Sequence, residues 1–277
     1  MMNFIEQVRH IAKQNNSLLC VGLDSDIEKI PAHIKSSPNP LFQFNKEIID
    51  QTHDLVCAYK IQIAFYAACA KEEDINLTID YIHQKYPQVP VILDAKRGDI
   101  GNTAECYVRE SFERYKADAV TVNPYMGFDS LQPFLDQKDK GIIILCRTSN
   151  PGARDLQDLK IDGQPLYRHV AIKAKKEWNK NGNVLLVVGA TYPEELAQIR
   201  ALTGDMIFLV PGIGAQGGDV EAAVKNGTDT MGGGLIINSS RAIIFASKGT
   251  DYALAARKVA KETRDQINLY RPLSVSN

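Results

Sequence analysis

The chain carries almost no net charge: 32 Lys and Arg stand against 33 Asp and Glu in 277 residues, leaving −1. Nucleic-acid binders usually show a basic excess or stripe, so that class is excluded. Cysteine is scarce and has no pairing pattern. Cys20, Cys57, Cys69, Cys106 and Cys146 form an odd set without a CxxC. Cys20, Cys57 and Cys146 lie in apolar runs, where they read as small, reduced, buried hydrophobes of a cytosolic protein. No window approaches the roughly 20 apolar residues that span a bilayer. Charges interrupt every apolar stretch of MMNFIEQVRHIAKQNN, which reads as neither a signal peptide nor an anchor. His10, His33, His53, His83 and His169 fall on expected helices or in a loop, at no metal-ligand spacing. No GxSxG occurs, and Cys146 has no obvious His partner. Triad acyl transfer and metal hydrolysis are thereby disfavoured. What remains is a soluble cytoplasmic protein, large enough to bury a core without disulfide or metal staples.

Short runs rich in Val, Ile and Leu are present at 18–23, 57–63, 90–93, 119–122, 141–146, 184–188, 206–210 and 230–237. Their hydrophobicity is continuous rather than alternating, which predicts strands covered on both faces, as in a parallel sheet. Amphipathic segments lie between them at 41–54, 77–86, 104–116, 166–178, 193–202, 219–226 and 252–270. In the first of these Leu41, Phe44, Ile48 and Leu55 recur at helical spacing, with Asn45, Lys46 and Glu47 expected to face away. Run starts recur about every 30 residues, the length of one βαβ unit. Eight such units predict an α/β fold, a single (β/α)₈ TIM barrel over residues 1–277. The alternative, a doubly wound open sheet, lacks its dinucleotide fingerprint, because Gly22 stands alone after the first strand. Two βα connections, at about 24–40 and 147–167, exceed the usual two to six residues. Both fall on the face where barrel sites are built, and the second is a lid candidate.

The most informative stretch is PVILDAKRGDIGNTA. Alternate residues of a strand share a face, so Ile92, Asp94 and Lys96 are expected on one side and Val91, Leu93 and Ala95 on the other. A carboxylate and an ammonium then sit together at the barrel mouth, with Asp99 just beyond. A buried ion pair often returns less than its desolvation removes, so an Asp-x-Lys-x-x-Asp in this position argues for chemistry. Asp24 closes LLCVGLD, and Lys60 sits in the apolar CAYKIQI, where an unpaired ammonium would be costly. Together with Asp94, Lys96 and Asp99 they predict an alternating charge array that keeps both lysines protonated. A protonated Lys can act as a general acid and stabilise a developing anion.

VPGIGAQGGD follows the seventh expected strand, and NSSRAI the eighth. Closely spaced glycines expose backbone N–H groups ahead of a helix start near Asp219, which would cradle an anion. Barrel phosphate sites are commonly built from these two loops. Arg241 could pair a phosphate bidentately, with Ser240 as a further donor.

DAKRGDIGNTA, with Lys60 upstream and PGIGAQGGD and NSSR downstream, resembles the orotidine 5′-phosphate decarboxylase family, in its longer-chain (type 2) branch. The motifs run from Asp24 to Arg241. The resemblance implies a homodimeric barrel that converts orotidine 5′-phosphate to UMP and carbon dioxide without a cofactor or metal, in de novo pyrimidine biosynthesis. By position it implies that Lys96 donates a proton to C6 of the pyrimidine and that Asp94 lies against the departing carboxylate. Lys60 would link the array to the ribose, and Asp24 would hold ribose hydroxyls. Asp99, Ile100 and Thr103 would reach into the neighbouring subunit's site. Ser149 would contact the pyrimidine, and Pro211, Gln216 and Arg241 would line the phosphate side. Ser240 departs from the shorter relatives, which have Gly before the phosphate arginine. Two other readings fit the same residues: a Mg²⁺-dependent sugar-phosphate decarboxylase of the superfamily, such as one acting on 3-keto-gulonate 6-phosphate, and a non-catalytic phosphate-binding barrel.

Overall fold

A computed structural model describes residues 2–212 and 219–272. Its strands are β1 (Leu19–Gly22), β2 (Ala58–Gln62), β3 (Val91–Arg97), β4 (Ala119–Val122), β5 (Gly141–Arg147), β6 (Lys160–Ile161), β7 (Gln164–Pro165), β8 (Val184–Val188), β9 (Phe208–Val210) and β10 (Leu235–Ser239). All but β6 and β7 close into a parallel barrel in the order β1-β10-β9-β8-β5-β4-β3-β2. Closure is the pairing of β1 with both β2 and β10, for example Cys20 opposite Ala58 and Asn238. The continuous apolar runs have the expected cause. Every residue of β8, VLLVV, is buried, because side chains on one face fill the barrel and those on the other meet helices.

Three expectations need correction. The eighth strand is not 230–237. MGGG is the turn before β10, with Gly232 and Gly234 at φ +72° and +76°, a backbone region open to glycine and closed to most strand residues. The third strand extends beyond Leu93 to Arg97. In the helix Pro40–Thr52, Leu41, Phe44 and Ile48 are buried as their spacing demands, but so is Asn45. Its amide donates to Tyr66 Oη (2.8 Å) and Thr78 Oγ1 (3.1 Å) and accepts from Ser25 Oγ (2.6 Å), which satisfies a polar side chain inside the helix layer.

A helix unread in the sequence, Phe4–Gln14, begins with a capping box between Asn3 and Glu6. Phe4 packs under the barrel floor, where a Cβ on Gly141 would come within 2.3 Å of its ring. The long fifth connection carries its own structure, a 3₁₀ turn at Pro151–Asp155 and the β6–β7 hairpin. Among the described residues no helix is long and apolar enough to cross a membrane.

Candidate active site

A cavity of about 560 Å³ opens at the carboxyl ends of the barrel strands, within the usual range for a small-molecule site. Asp24, Lys60, Asp94 and Lys96 line one wall, and Ser149, Pro211, Ser240 and Arg241 line the others. Leu145, Val187 and Leu209 supply apolar surface from β5, β8 and β9.

The charges alternate along the wall. Lys60 Nζ lies 2.9 Å from Asp24 Oδ1 and 3.3 Å from Asp94 Oδ2, and Lys96 Nζ lies 2.7 Å from Asp94 Oδ1. Strand register explains the meeting: Lys60 is opposite Gly22 across β1–β2, and Gln62 is opposite Asp94 across β2–β3. The Lys60 side chain is only 4% exposed. Burial would push its ammonium towards the neutral form, but Asp24 and Asp94 outweigh that and raise its pKa above the usual lysine value. Burial would likewise raise the Asp94 carboxyl. Lys60 and Lys96, with hydrogen bonds from Lys96 and Thr121, reverse this and hold it at about 2. Asp94 is therefore an anion at neutral pH.

Lys96 reaches this wall by a different route from simple alternation. Its side chain is 46% exposed at the mouth, and its backbone is left-handed, φ +48°. The β3–β4 register shifts between Leu93 and Arg97. Such an irregularity adds residues to one strand and re-aims a side chain. Arg97 then anchors the departing chain through Nε and Nη2 to Glu110, at 2.8 and 2.9 Å.

Asp99 is not part of the array within one chain. The turn after Arg97 carries it off the cavity wall, and its Oδ1 accepts the Ile100 N–H (2.8 Å) at the start of the helix Gly101–Arg109. Ile100 is 53% exposed, and Thr103 is exposed on the same helix start. The expectation that Asp99 would sit beside Lys60 and Lys96 of its own chain is thus corrected.

Beside β1, β10 ends in Asn238 and Ser239; Ser240 follows, and Arg241 opens a short helix, Arg241–Ile244. Asn238 Nδ2 donates to Ser240 Oγ (3.1 Å). Gly22 makes room for this corner, since a Cβ there would stand 1.9 Å from Ser240 Oγ. Asp219 caps the helix Val220–Gly227 by accepting the Glu221 N–H (2.8 Å). Gln216 lies outside the described residues. Gly189 lets the fifth connection approach, because a Cβ would meet the Ser149 backbone nitrogen at 3.0 Å.

Several residues at or behind this wall carry little signal in the sequence. Gln62 donates to Asp94 Oδ2 (3.0 Å) and Thr121 to Asp94 Oδ1 (2.8 Å). Arg147, 1% exposed, bonds Glu195 through Nε (2.5 Å) and lies 2.9 Å from Asp158. Its guanidinium stands 5.2 and 5.0 Å from the Tyr167 and Tyr192 ring centres, which ties the root of the Ser149 connection to the barrel. The one hint for Gln62 was its position two residues after Lys60, on the same face of β2. Cys146 is no nucleophile. Burial pushes its thiol up to about 12, and its Sγ donates to the Tyr167 carbonyl. Among the described residues no three His, Cys, Asp or Glu gather as a metal site.

A closed parallel barrel with an alternating Lys–Asp–Lys–Asp wall facing a cavity of about 560 Å³ defines the class: a (β/α)₈ barrel with a polar site at its strand ends. Residues 17–258 match the orotidine 5′-phosphate decarboxylase / HUMPS family. An orotidine 5′-phosphate decarboxylase of Cellvibrio japonicus is 60% identical over 272 residues, covering 98% of this chain and 100% of that one. One from Janthinobacterium is 56% identical, covering 97% and 99%. Among solved structures, Leishmania donovani OMP decarboxylase superposes with a TM-score of 0.82 at 39% identity, covering 97% of this chain and all of that one. Leishmania donovani UMP synthase gives 0.84 at 40%, covering 97% of this chain and 57% of the longer one. The chain belongs to the orotidine 5′-phosphate decarboxylase / HUMPS family.

Proposed function

We infer that this chain decarboxylates orotidine 5′-phosphate to UMP and carbon dioxide, as a cytoplasmic homodimer in pyrimidine biosynthesis. The observation that carries the reading is the Lys96 ammonium held 2.7 Å from an ionised Asp94 on the wall of the cavity. In the reaction the bond from C6 to the carboxylate breaks, carbon dioxide leaves, and the electron pair stays on C6. Lys96 supplies the proton that becomes the new C–H bond, and solvent later restores it. The pyrimidine ring delocalises that carbanion poorly, so a fixed ammonium stabilises charge only as it develops, the kind of binding that raises turnover. Asp94 takes the place beside the departing carboxylate. Lys60 joins the array to the ribose, whose hydroxyls Asp24 accepts. Ser149 meets the pyrimidine, and Pro211, Gln216, Ser240 and Arg241 serve the phosphate. The reading assigns no cofactor and no metal.

Asp99, Ile100 and Thr103 are assigned to the partner subunit's site. Their outward placement on an exposed helix start supports this, since their own chain's cavity does not use them. Remote phosphate contacts can drive closure of the Ser149 connection and organise the array, so phosphate grip should influence turnover.

The test is a spectrophotometric assay with purified chain, orotidine 5′-phosphate and EDTA. Loss of the orotate chromophore with formation of UMP is expected. Activity only on a sugar phosphate after Mg²⁺ addition would transfer the chain to the metal-dependent branch of its superfamily. UMP binding without consumption of orotidylate would make it a binding barrel.

A further inference from the structure

Thr121 lies outside the cavity, fully buried in β4, and no role in the proposed chemistry has been given to it. Its position in the sheet is unusual. Leu93 pairs with Val120 and Arg97 with Val122, so the three residues Asp94, Ala95 and Lys96 of β3 stand against Thr121 alone. A regular ladder cannot satisfy the Lys96 N–H there. The Thr121 hydroxyl does so instead: Oγ1 accepts from Lys96 N at 2.9 Å. The same oxygen donates its own proton to Asp94 Oδ1 at 2.8 Å.

Only a hydroxyl can do both at one point, since it is donor and acceptor together. The two bonds bear on different variables. The first holds the left-handed backbone of Lys96, φ +48°, a conformation that is strained for a residue with a Cβ and persists only where its surroundings impose it. The second orients Asp94. That carboxylate then has Lys96 and Thr121 on one oxygen and Gln62 and Lys60 on the other, so its lone pairs are fully engaged.

We propose that Thr121 is a positioning residue that sets the Lys96–Asp94 geometry, through one hydroxyl bridging the Lys96 backbone to the Asp94 carboxylate. It touches no substrate. Its effect is on where the ammonium points when the C6 anion forms, so its loss should lower kcat rather than raise KM. The proposal rests on the decarboxylase reading above for its kinetic consequence, but not for its geometric one.

Three variants test it: Thr121→Ser keeps the hydroxyl, Thr121→Val keeps the shape, and Thr121→Ala removes both. Thr121→Val is expected to lose about 10- to 100-fold in kcat, the scale of a hydrogen bond to a charged group. Its KM should stay within about twofold, since binding of the remote phosphate is untouched. Thr121→Ser should recover most of the loss. A crystal structure of Thr121→Val should show Lys96 out of the left-handed region, or its Nζ withdrawn from Asp94. Wild-type kcat in Thr121→Val, or equal losses in the Val and Ser variants, would overturn the proposal. So would failure of both Val and Ala variants to fold, which would make the hydroxyl a stability element. If the wild-type chain itself leaves orotidylate unchanged, the decarboxylase reading fails. The crystallographic comparison still decides the role of Thr121.

Discussion

Replacing Lys60 by Met should destabilise the barrel, and removing Asp94 as well should restore it. At an effective dielectric of about 20, two unit charges about 3 Å apart attract by about 5–6 kcal/mol. Lys60 has two such partners, at 2.9 and 3.3 Å, and its side chain is 4% exposed. Most of that gross attraction offsets the desolvation of the buried ammonium. Deleting Lys60 removes the offset and leaves Asp94 facing a wall with one cation fewer. Breaking a buried pair in this way costs about 3–5 kcal/mol, which corresponds to a fall of roughly 10 °C in Tm for a chain of this size. The double variant Lys60→Met with Asp94→Leu deletes a cation and an anion together. The charges it leaves, Asp24 and Lys96, are the more exposed members, with side chains 17% and 46% accessible. Its Tm should return to within a few degrees of wild type or pass it, because apolar replacements for buried pairs are often neutral or better. Turnover should be absent in both variants. Thermal melts and urea titrations at pH 7 measure this. A Lys60→Met variant as stable as wild type, or a double variant weaker than the single, would refute the reasoning that the array is maintained for chemistry at the expense of stability.

Three further outcomes are expected. Lys96→Ala should keep its fold and lose turnover, and mixing it with Asp99→Ala subunits should restore activity in verified hybrids, where one composite site is intact; hybrids without activity would contradict a shared site. Arg241→Ala should weaken a phosphate-bearing substrate strongly and the phosphate-free nucleoside hardly at all, as compared by kcat/KM; equal losses would remove Arg241 from the phosphate. Asp94, with its carboxyl at about 2 in the fold against 3.8 ordinarily, contributes stability that is fully present above about pH 4 and lost as pH falls towards 2. That contribution is about 2 kcal/mol. Asp94→Asn should therefore show a flatter loss of stability across that acid window in denaturant titrations.

The barrel was legible because apolar runs recur about every 30 residues with amphipathic segments between them, the pattern expected of parallel strands covered on both faces. Asp24, Lys60, Asp94 and Lys96 were legible because charge inside an apolar strand end has few structural excuses. The glycine stretch before β10 misled, since Gly232 and Gly234 serve positive φ rather than strand packing. Thr121 and Gln62 escaped notice because a neutral polar residue in an apolar run looks the same whether it faces solvent, a helix or a carboxylate. Arg147 escaped because its partner Glu195 is 48 residues distant in sequence, and only the fold brings them together. The turn that takes Asp99 away from its own cavity depends on a register shift at Lys96, which residue types alone do not announce.

The floor of the barrel has a consequence for how this fold can be joined to others. Phe4 bonds through its N–H to the Asp139 carbonyl beneath β5 (3.0 Å), and Arg271 reaches Gly232 beneath β10 and Asn16 beneath β1 (3.0 and 3.2 Å). The first helix, Phe4–Gln14, and the last, Tyr252–Tyr270, are therefore moored on the underside, a full strand length from the mouth where small molecules enter. A second catalytic module spliced before one helix or after the other would hang below the barrel and leave the entrance clear.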